Sequence, residues 1–158
     1  MKILKLNFKD QFLQQWNSEM QVSNKGKMYS MLKKGFEMEN YLKTLPSNLS
    51  QFLCWFRTAN HSLPVEIGRW SNIDHHLRKC DMCTASEVGD EYHTLLKCPA
   101  FTNIRHLYIP QYFSKYPSKF KFDALMSENR QNKMVANIAK FIREIFRFRK
   151  RMPTPPVK

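Results

Sequence analysis

The sequence predicts a mainly α protein: a helical bundle flanking a small zinc-knuckle module built of a β-hairpin and turns. Three observations lead there. Apolar residues recur at helical spacing along most of the chain, and only 4 glycines interrupt its 158 residues. Three of the four cysteines fall close together beside a histidine, at intervals that suit one metal ion. The length fits one domain of ordinary size, or a small metal module with helices on either side.

The first helix is read from Phe8, Phe12, Leu13, Trp16 and Met20, with Asn7 as its N-cap. Asn24-Lys25-Gly26 breaks it. Met28, Tyr29, Leu32 and Phe36 then start a second helix, which Gly35 weakens, Tyr41, Leu42 and Leu45 continue and Pro46 ends. Ser47 is placed to cap a third helix, in which Leu49, Phe52, Leu53 and Phe56 share a face. Cys54 sits alone in that pattern and reads as a small buried hydrophobe.

From Arg57 to Trp70 the helical period is lost, and Pro64 and Gly68 point to a connecting loop that runs toward the metal segment. After Cys98, Pro99 can open a helix through Phe101, Ile104, Leu107 and Tyr108. Tyr112, Phe113, Tyr116, Phe120 and Phe122 form an aromatic, basic stretch with no clear period; such rings are core residues or platforms for unpaired bases. The last helix is the best defined. Met134, Val135, Ile138, Phe141, Ile142, Ile145 and Phe146 make a continuous core-facing stripe. Pro153, Pro155 and Pro156 end it and leave a disordered tail. The expected organisation is thus a helical region over 1–70, a metal module over 71–110, a basic aromatic segment and helix over 111–152, and the tail over 153–158.

Cys80, Cys83, His93 and Cys98 stand as Cys-x2-Cys-x9-His-x4-Cys. Two cysteines three apart present both thiolates to one ion from a tight turn, and a His and Cys five apart converge from a turn or the start of a helix. Gly89 is expected to supply the backbone freedom that turns the long loop back. Such a set predicts one structural Zn2+, closed to water and without catalytic work. Asp90 or Glu91 is placed to hold the non-ligating nitrogen of His93, or else the two form a solvated acidic turn. His61, His75, His76 and His106 read as ordinary polar or packing residues rather than ligands.

Lysine and arginine exceed aspartate and glutamate by 13 charges. The excess is four over residues 1–68, nil over 69–114 and nine over 115–158. A polyanionic partner, RNA or DNA, is therefore expected to meet the last segment, with Lys133, Lys140, Arg143, Arg147, Arg149, Lys150 and Arg151 as its contacts. The run Arg147 to Arg151 also fits a nuclear import signal. No apolar run reaches a membrane span, and the first residues are too short and too charged for a secretory signal. An intracellular, reducing location is expected, with no membrane or small-molecule partner.

The words RTANHSLPVEIGRW, RKCDMC and GDEYHTLLKCPAF, followed by Arg105, resemble the C-terminal segment of LINE-like (non-LTR) retrotransposon reverse transcriptases over about residues 50–110. The resemblance implies that Cys80, Cys83, His93 and Cys98 are knuckle ligands contacting template RNA or target DNA. It implies that Arg57, His61, Gly68, Arg69 and Trp70 belong to the motif before the knuckle. A polymerase needs paired aspartates, and the chain has no Asp-Asp step. Asp123, Glu128 and Glu144 also lack the arrangement of the endonuclease that some relatives carry. The expectation is a non-catalytic, zinc-stabilised nucleic-acid-binding module, a detached piece of a retroelement protein; the alternatives are a protein-interaction module or a non-functional retroelement fragment.

Overall fold

The computed structural model describes residues 2–23, 25, 27–33, 35–127 and 131–151. Asn24 and Gly26 of the first break, Glu128 and the expected tail lie outside them. Among the described residues the chain is mainly helical: α1 (Lys2–Val22), α2 (Lys27–Leu32), α3 (Asn40–Thr44), α4 (Ser47–Arg57), α5 (Pro64–Trp70), α6 (Thr102–Tyr108), α7 (Gln111–Ser114), α8 (Lys119–Met126) and α9 (Asn132–Arg151). Short helical turns at His75–Leu77, His93–Lys97 and Pro99–Phe101 fill the metal segment.

Helix α9 is the spine, with α4 along one side and α6 along another. Its stripe buries Ile138, Phe141, Ile142, Ile145 and Phe146 against a cluster that includes Leu49, Leu53 and Phe56 of α4. Each such side chain removed from water contributes about 1.5–3 kcal/mol. Leu95, Leu96, Cys98 and Phe101 belong to the same buried cluster, so the metal segment is seated directly on the helical core.

A buried ion pair ties the N-terminal half to that core. Arg57 Nε lies 2.8 Å from Glu39 Oε2, and Arg57 Nη1 donates to the Met126 carbonyl at the end of α8 over 2.7 Å. Its guanidinium also lies over the Tyr41 ring. Burial, reinforced by the Glu39 carboxylate, pushes the Tyr29 hydroxyl up to about 12 and the Tyr41 hydroxyl higher still.

Several local expectations are corrected. Asn7 is not an N-cap, because α1 already begins at Lys2. The second helix is two short ones, since the chain leaves helical geometry between Leu32 and Asn40. Ser47 is the first helical residue of α4 and not its cap, which is Pro46. The stretch expected to be a loop up to Trp70 forms helix α5 from Pro64 onward. Proline suits a first turn because its missing N–H would be unpaired there anyway. The aperiodic aromatic stretch holds α7 and α8; the Ser118 hydroxyl caps α8 by accepting from Lys121 N. The β-hairpin of the knuckle is replaced, among the described residues, by one isolated antiparallel bridge between Lys79 and Val88.

Candidate metal centre and basic face

The four expected ligands are built by two pieces of chain. In the first, Cys80 N donates to Glu87 O over 2.8 Å and Gly89 N to Arg78 O over 2.9 Å, which folds 78–83 back beside 87–89. The reversal uses Ser86, at φ 54°, and not Gly89, which has no positive φ. Glycine is needed at 89 for space instead: a Cβ there would lie 2.7 Å from the Pro64 ring and 3.0 Å from Cys80 Cα. Gly68 gives room in the same way on α5, where a Cβ would strike the Arg78 side chain at 2.5 Å. Arg78 thereby reaches the carbonyls of Val65 and Ile73 and holds α5 against the loop.

The second piece is a wide turn. In an α-helix, residues five apart point about 140° away from each other. From His93 to Lys97 the chain instead makes a π-helical turn, closed by Cys98 N donating to His93 O over 2.7 Å. Residue 98 then falls one full turn beyond residue 93, and both side chains face the same ion site. Asp90 caps this element, its Oδ1 accepting from His93 N over 2.7 Å. Burial holds the Asp90 carboxyl above the ordinary range. At the other end Arg105, buried, donates to the carbonyls of Leu95, Thr94 and Cys98. Both ends of an unusual turn are thus satisfied by side chains.

The geometry fits a tetrahedral ion. One ligand atom from each of Cys80, Cys83, His93 and Cys98 lies within 4.8 Å of all the others. Cys80 Sγ and Cys98 Sγ are 3.8 Å apart, and Cys83 Sγ is 3.3 Å from His93 Nε2. A tetrahedron with metal–sulfur bonds of ~2.3 Å has sulfur–sulfur edges of ~3.8 Å, and its sulfur–nitrogen edges are slightly shorter. These residues could hold one metal ion. His93 and Cys98 are buried and Cys80 and Cys83 half-buried, so four protein ligands would close the shell.

The proton inventory follows from the same contacts. Hydrogen bonding from Cys98 pulls the Cys80 thiol down to about 4, against the effect of burial. That bond, together with burial, pushes Cys98 well above the usual thiol range. Burial opposes a charge on His93, yet hydrogen bonds to Cys80, Glu87 and Cys83 outweigh it and raise its pKa to about 9.

The carboxylate at the non-ligating nitrogen of His93 is neither Asp90 nor Glu91. It is Glu87, whose Oε2 lies 3.2 Å from Nδ1, and Lys97 holds its other oxygen. Those partners, Lys97 first, draw the Glu87 carboxyl below the ordinary range. No local signal marks Glu87 in the sequence, since it meets His93 only after the loop has folded back. Glu91 turns away to His61 Nε2 at 3.0 Å, a buried pair under the metal segment. His75, His76 and His106 are exposed and stand outside the cluster.

The expected phosphate contacts separate into groups. Lys133, Arg147 and Lys150 are exposed, and Lys140 and Arg143 are half-buried. Arg143 and Arg147 share Glu144 at 3.1 and 3.2 Å. Arg149 is turned inward: its fork grips Asp81, beside Cys80, at 2.6 and 2.8 Å and donates to Ser62 O at 3.0 Å. It fastens the end of α9 to the metal loop. The Arg151 side chain lies outside what is described. In the aromatic stretch Phe113 and Phe122 are core, whereas Tyr112, Tyr116 and Phe120 are exposed. No described helix is long and apolar enough to cross a membrane. No family model, no curated protein and no solved structure matches this chain.

Proposed function

We propose that the protein is a zinc-stabilised, non-catalytic nucleic-acid-binding module. The observation that carries this reading is the Cys80, Cys83, His93 and Cys98 cluster, fastened through Asp81 and Arg149 to the end of the helix that bears the chain's densest positive charge. Three thiolates and an imidazole at tetrahedral spacing suit Zn2+ in ligand softness and in edge length. A shell filled by four protein ligands offers no open position for a water or substrate, which fits a structural ion. With three thiolates the centre carries a formal charge of about −1, so phosphate is met by the cations of α9 and not by the metal. The resemblance of 50–110 to the end of LINE-like reverse transcriptases supports template RNA or target DNA as the partner.

Metal analysis of the purified chain, with titrations against single-stranded RNA, single-stranded DNA and duplex, tests both halves. One equivalent of zinc is expected, with log affinity falling against log salt at a slope of about −4 to −6. Substoichiometric metal, or no binding at low salt, refutes the corresponding half. A second reading, docking of a protein partner, draws on α1, where Phe8 and Phe12 are exposed and Phe12 packs edge-to-face on Phe36. It predicts that partner capture survives charge reversal at Arg147 and Lys150.

A further inference from the structure

The chain has three tryptophans, and two of them line one cleft. Trp55 lies near the end of α4 and Trp70 is the last residue of α5. Together with Phe52, Asn60, Phe146 and Lys150 they surround a space of about 270 Å³. Trp70 is 58% exposed and Trp55 38%. Indoles left in water at a concave site are costly unless something covers them. The floor is rigid: Phe52 packs edge-to-face on Trp55 at 5.4 Å and meets Phe146 at 6.2 Å, and Phe146 lies against His61. The rim is basic and polar, with exposed Lys150 and Asn60, and Arg147 stands one turn earlier on α9.

We propose that this cleft seats one unpaired base of a single-stranded nucleic acid. The inference rests on the nucleic-acid reading above and assigns it a place. The space falls just under the ~300–1,000 Å³ of small-molecule pockets, the scale of one flat ring system. Every base has a π-face, so two indoles bind it without regard to sequence, and a duplex, whose faces are already stacked, cannot offer one. The sugar-phosphate chain leaving the base passes Lys150 and Arg147. The Arg147–Glu144 pair is an exposed ion pair that a phosphate can replace at little cost. A purely apolar partner would leave Lys150 and Asn60 at the rim without acceptors, which favours the anionic ligand.

The cleft is also joined to the metal centre. Arg149 holds Ser62, in the loop that forms one wall, and Asp81, next to Cys80. Its walls come from α4, the 60–62 loop, α5 and α9, and this one guanidinium ties the loop, α9 and the metal segment together.

The test uses the zinc-loaded full chain carrying Trp16→Phe, so that fluorescence reports only Trp55 and Trp70. Oligo(U) and oligo(dT) of about ten nucleotides are compared with a duplex of equal length. Single strands should quench the emission, and the duplex should not. Trp70→Ala and Trp55→Ala should each weaken single-strand binding about 5- to 100-fold at an unchanged salt slope, because no charge is removed. Trp70→Phe should recover some of the loss. Lys150→Ala should reduce the salt slope by about one. Unaltered metal content and circular dichroism certify the fold of each variant. If both alanine variants bind single strands as tightly as the parent, the seat is refuted while the nucleic-acid reading stands. Quenching by duplex equal to that by single strands also refutes it. If the parent binds neither strand nor duplex at low salt, the underlying reading fails.

Discussion

The metal segment and helix α9 touch the same core yet are held by different physics. Helix α9 is held by area: a stripe of Ile and Phe side chains that needs only water outside and α4 opposite. The metal segment has a small apolar anchor of its own in Leu95 and Leu96, but from Arg78 to Glu91 it is held mainly by directional contacts. Asp90 caps one end of its turn, Arg105 caps the other, and four ligands are drawn to one point. On the zinc reading a short polar loop would be ordered by the ion and by satisfied backbone groups, where a helix of twenty residues is ordered by burial.

Removing the metal should separate the two regions most sharply. On the zinc reading, a strong chelator is expected to raise amide exchange throughout 78–98 while 138–146 stays protected, since only the first region would draw stability from the ion. Equal loss of protection in both would mean that they form one cooperative unit. The same equilibrium carries a pH signature. His93, raised to about 9, and Cys98, raised further, both hold protons in the metal-free protein at neutral pH. Binding expels those protons, so lowering the pH favours the metal-free state. Log affinity should climb by at least about two per pH unit between pH 6 and 8, and competition against a chromophoric chelator measures it.

The reverse experiment strikes the helical side. Ile142→Ala should cost about 2–5 kcal/mol in denaturant unfolding, through lost burial and a cavity, without changing metal stoichiometry. Zinc lost along with stability would show that α9 shapes the ligand set. Next in size is Glu87→Ala. Without the carboxylate that orients His93 Nδ1, metal affinity should fall about 10- to 100-fold while the fold of the metal-free chain is unaffected. Gly89→Ala should cost about 1–3 kcal/mol, because the added methyl meets Pro64 and the Cys80 backbone. The melting temperature reads that loss, and a neutral result would mean that α5 can retreat from the loop.

Much of this was legible in one dimension. The stripe from Met134 to Phe146 announces α9 because burial on one face of a helix imposes its own period. The ligand set announces itself because metal chemistry accepts few residue types and few spacings. Less legible were the short helices. Pro64 and Gly68 look like breakers, yet one opens α5 and the other clears space for Arg78. Helices of four to eight residues such as α5, α7 and α8 carry too little pattern to separate from loops, and their contacts decide them.

What the sequence determined by itself was composition and period: a mainly helical chain, four ligand-type residues at metal spacing, and positive charge gathered at one end. Tertiary structure decided which side chain serves which partner. It put Glu87 and not Asp90 or Glu91 behind His93, turned Arg149 inward to Asp81, and brought Trp55 and Trp70 to one cleft. The physical reason is range. Periodicity and ligand spacing are patterns readable along the chain, whereas an ion pair or a cleft is made by groups that meet only after the backbone has closed a loop between them, 6 residues on for Glu87 and His93 and 68 for Asp81 and Arg149.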